Sequence, residues 1–331
     1  MAATSLTKIE SRGTREEPTI AVSLRRRTRW SEAIAEGVIK ATALVSILSV
    51  ALIIAFITKE ALPLLLSADV HREVTPLDLL VPRSSGGFVW QPVSAVPKYN
   101  VLPLFAGTLK VSFIALAVAI PLSVLAALYV SDFATRRLRE TLKPIIELLA
   151  GVPSVVVGFF ALVVLSTWVQ RVFGTEHRLN AVVAGLGLSF AVCPIVFSIS
   201  EDALRAVPAS YRAAAQALGA TRSQALLRVV IPAAMPGIAG AVVLGFGRAV
   251  GETMIVLLAS GNAALLDVRW GHSTRTVTAT IAQELGEVVT GGPHYRVLYA
   301  LGALLFLATL VINILGEAVI QRMRGTVRAT R

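Results

Sequence analysis

Cysteine is almost missing from this chain: Cys193 stands alone among 331 residues. An internal disulfide and a cysteine-based metal cluster are both excluded, and the apolar run around Cys193 favours simple packing. The four histidines, His71, His177, His272 and His294, are scattered and show no metal-ligand spacing. No Gly-x-x-x-x-Gly-Lys-Ser/Thr phosphate loop occurs, so ATP hydrolysis by that route is excluded. Charge is sparse as well, at 15% of residues against 55% hydrophobic. Nothing here calls for a resident cofactor, a metal or a catalytic centre.

What the sequence does contain is long apolar blocks. Runs without charge lie at 41–58, 111–131, 148–170, 179–200, 229–247 and 297–316, each near the roughly 20 residues that a spanning helix needs. The expected fold is all-α, a polytopic membrane protein of about six transmembrane helices. Lys and Arg gather before the first run, in 131–144, in 201–228 and after 317, and thin out in 59–100, 171–178 and 259–296. Basic residues are retained on the cytoplasmic side, so both termini are expected there. Trp30, Tyr129, Trp168, Tyr295 and Tyr299 fall at span ends, as in an aromatic belt. The first run starts too late for a cleaved signal peptide and reads as an uncleaved span. The net charge of +11 is spread over four cytoplasmic segments, which points to membrane lipid rather than nucleic acid.

The domain plan that follows is a basic cytoplasmic tail at 1–30, a transmembrane domain at 31–320 and a short cytoplasmic tail at 321–331. The 59–100 connection, with Pro63, Pro76, Pro82, Pro92 and Pro97, reads as irregular extracytoplasmic structure open to an external partner. The 259–295 connection holds an amphipathic piece, Val277 to Val289, that predicts a short re-entrant or surface helix. Pro103, Pro121, Pro144, Pro153, Pro194, Pro232 and Pro236 interrupt or border the spans. Proline kinks helices, and two readings stand level: ordinary membrane-helix proline, or kinks that shape a central cavity.

Within the apolar stretch that runs to Leu266 stand Arg248 and Glu252. Charge in hydrocarbon is expensive and usually faces a solute path or a partner. Four residues apart, the two share one helix face if the fifth span contains them, which is the expectation. Counted from Pro236, Arg248 lies roughly 18 Å along the helix, near mid-membrane. Guanidinium suits a tetrahedral oxyanion, because its fork makes paired hydrogen bonds and keeps its charge when desolvated. The alternative is a structural ion pair, with Gly247-x-x-x-Gly251 permitting close helix contact. Other polar groups are weaker candidates. Glu147 is expected to pair locally with Lys143, Lys110 to snorkel, and Thr108 and Ser112 to cap backbone.

Between the fourth and fifth spans, Ala213-Ala214-Ala215-Gln216-Ala217-Leu218-Gly219 precedes Val229-Val230-Ile231-Pro232. The pattern resembles the Glu-Ala-Ala loop of ABC-importer permeases, whose helix docks into a cleft of the ATPase subunit. Ala214, Ala215, Gly219, Val229, Ile231 and Pro232 occupy matching positions, while the motif's glutamate is Ala213 here. Lys143 to Phe160 and the Gly247-Arg248-Ala249-Val250-Gly251-Glu252-Thr253-Met254 segment resemble phosphate permeases of the Pst system, and the Met254 ending is closer to the PstC type than to PstA. Leu102-Pro103-Leu104 and Gly107-Thr108-Leu109 match the same type, and the resemblance spans about residues 30–320.

That resemblance implies the type I ABC-importer permease fold and ATP-driven phosphate import across the bacterial inner membrane. Its implied partners are a second permease of the PstA type, an ATPase dimer and an extracytoplasmic phosphate-binding protein. Molybdate or sulfate permeases are the rival in the same class; an autonomous secondary transporter or channel is the rival from another. Arg248 and Glu252 are the expected substrate-path residues, and Ala214, Ala215, Gly219, Ile231 and Pro232 the ATPase-coupling residues.

Overall fold

The computed structural model describes residues 30–82 and 87–329; the proposed basic tail lies, apart from Trp30, outside the described residues. The chain resolves into two compact units, Met1–Leu52 and Ile53–Arg331. Within the first, the described part is the leading stretch of helix α1 (Trp30–Ala61), whose composition from Ala41 to Thr58 is free of charge.

The second unit begins with the end of α1 and two short helices, α2 (Pro63–Leu66) and α3 (Ala68–His71). A 3₁₀ turn at Pro76–Leu79 and a two-stranded ribbon follow, β1 (Trp90–Gln91) antiparallel to β2 (Lys98–Tyr99). The connection expected to be irregular is thus a small packed cap. Leu64, Val74, Trp90, Tyr99 and Leu104 are buried with Val277 and Leu301 in one apolar cluster.

The second span is α4 (Leu102–Leu128), extended by a π-helical turn at Tyr129–Phe133. Helix α5 (Arg136–Ala150) is amphipathic and leads into the third span, built from α6 (Ser154–Phe160), a π-helical turn at Ala161–Leu165 and α7 (Ser166–Phe173). Gly174 stops that span in a left-handed conformation at φ 60°, which glycine adopts without a Cβ penalty. The fourth span is α8 (Ala181–Arg205), and its first turn is capped by Asn180, whose side chain accepts from the amides of Val182 and Val183. Such a cap satisfies donors that no helix can pair internally.

Helices α9 (Ala209–Ala217) and α10 (Arg222–Ala225), then a π-helical turn at Leu226–Val230, form the loop between the fourth and fifth spans. Helix α11 (Ile231–Gly251) completes the fifth span, followed by α12 (Met254–Ala259), α13 (Val277–Glu284) and the long α14 (Pro293–Ala329). Helix α14 therefore carries on past residue 320. Among the described residues six segments are long and apolar enough to cross a membrane, the number expected from the charge-free runs. The amphipathic piece after Thr276 is helical over eight residues.

Lipid tails are as apolar as Leu, so membrane helices associate by close packing of small residues rather than by hydrophobic burial. The second unit follows that rule. A Cβ on Gly185 of α8 would meet Ile114 at 2.5 Å, and one on Gly245 of α11 would meet Val196 at 2.7 Å. Helix α14 closes on α11 in the same way, Gly316 against Val243. Pro121, Pro144, Pro194 and Pro236 lie inside continuous helices. The breaks fall instead at Gly151–Pro153 and at Glu252–Thr253.

Candidate functional site

The fifth span does not run through the charged pair. Helix α11 ends at Gly251, and Glu252 takes an extended conformation at φ −71°, ψ 132° before α12 begins at Met254. The expectation of one continuous helix is corrected. Part of the reason is local: the Glu252 carbonyl accepts from Thr278 Oγ1 of α13 at 2.9 Å, so an outside donor occupies an acceptor that helix continuation would use. The pair survives the break, with Arg248 Nη2 3.4 Å from Glu252 Oε2. Burial of the two partners is unequal. The Glu252 side chain is 5% exposed and that of Arg248 46%, so the carboxylate is fixed in the wall while the guanidinium faces open space.

Depth comes from packing neighbours. Gly245 lies against Val192 and Val196, and Ile255 against Gly187, so Arg248 and Glu252 sit level with the middle of α8. The apolar helical segment that carries Arg248 starts well before Pro236, at Arg222. A Cβ on Gly247 or Gly251 would meet no atom within 4 Å. The small-residue spacing thus makes no seam among the described residues, and it shares the open side with Arg248.

A polar route joins Glu252 to the second span. Val277, next to the Thr278 that holds Glu252, donates its amide to Thr108 Oγ1 of α4 at 3.1 Å. Thr108 in turn donates to the Leu104 carbonyl at 2.8 Å. Its expected capping role is thus realised on α13 as well as on its own helix. Lys110 Nζ donates to the carbonyls of Asp267 and Arg269 and ties the connection ahead of α13 to α4. Ser112 Oγ is buried without a hydrogen bond among the described residues.

At the other end of α4 lies the loop of α9 and α10. Ala214 and Ala215 are on α9, and Gly219 has φ 85°. The amide of Gly219 donates to Gln216 O and that of Ala220 to Ala215 O, the paired bonds of a Schellman motif that needs a left-handed residue. Ile231 and Pro232 open α11, where proline's missing amide is harmless. Helix α9 buries none of its residues, and Leu218 at its tip is 91% exposed.

Two arginines clamp this loop to the end of α4, and a third holds α5 to the same turn. Arg212 of α9 donates through Nε to Asp132 Oδ1 at 3.0 Å, and the Asp132 side chain is 8% exposed. Arg222 of α10 donates to the Asp132 carbonyl and stands over the Phe133 ring. Arg139 of α5 takes the carbonyls of Val130 and Ser131 at 2.9 and 2.6 Å. Cations at a helix carboxyl terminus also meet its negative dipole end. Arg205, Arg212, Arg222 and Asp132, with Ala213 among them, line a cavity of about 570 Å³. A side chain longer than alanine at 213 would have entered a basic pocket.

Lys143 bonds chiefly across helices, to Glu201 and Asp202 of α8 at 2.8 Å each, with Glu147 farther off at 3.9 Å. Burial opposes its charge, but the bonds to Asp202 and Glu201 prevail and hold its pKa above the ordinary lysine value. Sequence spacing gave no sign of either partner.

Residues 119–325 match the model of the family described as binding-protein-dependent transport system inner membrane component. The chain is 34% identical over 244 residues to the probable ABC transporter permease protein YqgH of Bacillus subtilis, covering 73% of this chain and 77% of that protein. It is 35% identical over 260 residues to phosphate transport system permease protein PstC 1 of Mycobacterium tuberculosis, 72% and 76% of the two chains. Among solved structures, a bacterial ABC transporter involved in import of the acidic polysaccharide alginate aligns with TM-score 0.58 at 16% identity, covering 88% of this chain and 98% of that one. The MetNI methionine ABC transporter aligns with TM-score 0.50 at 20% identity, covering 67% and 94%. At such identities these two report the fold, that of type I ABC-importer permeases.

Proposed function

The chain belongs to the binding-protein-dependent transport system inner membrane components, and on that premise we propose that it is the permease subunit through which an ATP-driven importer passes inorganic phosphate. Membership brings an ATPase and a binding protein as partners. For the finer assignment we propose a second permease of the PstA type, an ATPase dimer and a phosphate-binding protein. Both termini and the α9–α10 loop then face the cytoplasm.

The observation that carries this reading is the unequal burial of Arg248 and Glu252 at the end of an apolar span. A cation in hydrocarbon is retained for a use. Arg248 presents donors to the open side, and its fork fits the paired oxygens of phosphate. Glu252 holds the guanidinium between passages and competes with the anion for it, so that the anion is not trapped; a conducting site must bind weakly enough to release. Because the open side also carries Gly247 and Gly251, the passage is completed by the second permease, whose helices approach closely at small residues.

Coupling follows from the clamp. The ATPase receives α9 and Leu218, and displacement of that loop reaches α11 directly through Ile231 and reaches α4 through Asp132. Helix α4 touches α13 through Thr108, and α13 touches Glu252. The site and the motor are thereby linked along two spans.

Reconstitution of the importer in liposomes with internal ATP tests the substrate. Uptake of labelled phosphate undiminished by excess molybdate or sulfate supports the reading. Competition by either oxyanion at concentrations comparable to phosphate contradicts it.

A further inference from the structure

Two histidines that lie far apart in the sequence meet on the face opposite the α9–α10 loop. His177 precedes α8 and His272 precedes α13, yet their rings stand 5.0 Å apart, centre to centre, at 87°. Backbone contacts hold both in place. The His177 carbonyl accepts from Asn180 Nδ2 at 2.7 Å, and Asn180 is fully buried as the cap of α8. The His272 carbonyl accepts from the Ala181 amide at 3.1 Å.

Beside them is Glu176. One ligand atom from each of Glu176, His177 and His272 lies within 4.8 Å of the other two. His272 Nε2 is 3.4 Å from Glu176 Oε2. Tetrahedral zinc with bonds of roughly 2.0–2.1 Å sets its ligand atoms about 3.3 Å apart, so that edge already has the required length. Glu176 and His177 are exposed and have room to close the remaining gaps.

The outer partners complete the pattern. His272 Nδ1 is 3.0 Å from Asp267 Oδ2, an arrangement that keeps the ring proton on Nδ1 and turns the Nε2 lone pair toward Glu176. Asp267 is itself fixed by Arg269, whose amide and guanidinium donate to the carboxylate at 2.8 to 3.3 Å. Carboxylate, histidine and metal in line is the usual support of a zinc ligand.

We propose that Glu176, His177 and His272 form a site for a divalent transition metal of the zinc class, with water as the fourth ligand. Two imidazoles among three donors suit zinc, cobalt, nickel and copper, whereas calcium and magnesium take sites built of oxygen ligands. The ion braces the connection between the third and fourth spans against the one that leads into α13. The assignment stands apart from the phosphate reading, and its test reads metal rather than transport.

Cobalt(II) is the probe, titrated into the untagged full chain in detergent and followed by visible absorption. The expected result is one ion per chain with the intense bands of a four-coordinate site, displaced by zinc(II). Asp267→Asn weakens binding about 10- to 100-fold through loss of the outer partner, and His177→Ala and His272→Ala each abolish the bands. Circular dichroism confirms that the variants keep their helices. Failure of the wild-type chain to develop the bands, or bands that persist when both histidines are replaced, would overturn the proposal.

Discussion

Arg248 and Glu252 form an ion pair at 3.4 Å across the end of a helix, since α11 stops at Gly251. The pair therefore does not depend on helical pitch. Glu252 belongs to a break whose carbonyl is held by Thr278, and a shift of α13 would move the carboxylate without bending α11.

Leu218 is the apolar tip of the α9–α10 loop, 91% exposed. Burying a leucine fully is worth about 1.5–3 kcal/mol. Leu218→Asp is expected to reduce co-purification of the ATPase with the permease, while thermal stability of the isolated permease stays unchanged. Pull-down of the ATPase against a fixed amount of permease reads the outcome, and undiminished capture would count against docking through this tip.

Asp132 holds Arg212 at the foot of α4. Asp132→Asn removes the charge from a nearly buried pair, and breaking such pairs costs about 3–5 kcal/mol when the partner is left behind. The expected outcome is slow phosphate uptake at a normal level of assembled complex, with ATP hydrolysis largely retained. Exchanging the charges, Asp132→Arg with Arg212→Asp, should restore part of the uptake. A fall in hydrolysis and uptake that follows the amount of assembled complex would reduce the clamp to a scaffold.

Gly107 lies where α4 meets the backbone ahead of α13. A Cβ there would strike the Arg275 carbonyl and come within 2.6 Å of Thr274 Oγ1. Backbone cannot yield as a side-chain tip can, and overpacking of this kind typically costs about 1–3 kcal/mol. Gly107→Ala should lower the melting temperature of the purified permease and depress uptake, because α13 is displaced from Glu252. A variant with wild-type melting and uptake would show that this contact is dispensable.

The spans were legible because their signal is length without charge, and runs such as 179–200 needed only counting. The turn between the fourth and fifth spans was legible because Gly219 favours a left-handed backbone and Pro232 favours the first turn of a helix. The break at Glu252 was not, since one contributor to it is a hydrogen bond from Thr278, 26 residues on, in a segment that no periodicity brings to α11. Arg139, Arg212 and Arg222 read as ordinary basic flank until the turn that ends α4 supplies their separate acceptors, the carbonyls of Val130, Ser131 and Asp132 and the Asp132 carboxylate. His177 and His272 looked scattered for the same reason: the contact of two loops brings them together.

Arg248 is proposed to serve the passing anion rather than the fold. Arg248→Ala alone strands the Glu252 carboxylate, so the decisive variant is Arg248→Ala with Glu252→Gln, which removes both charges together. Phosphate uptake by the reconstituted importer should be abolished in this double variant, while assembly with the ATPase and melting temperature remain near wild type. Wild-type uptake rates from the same double variant would contradict the claim.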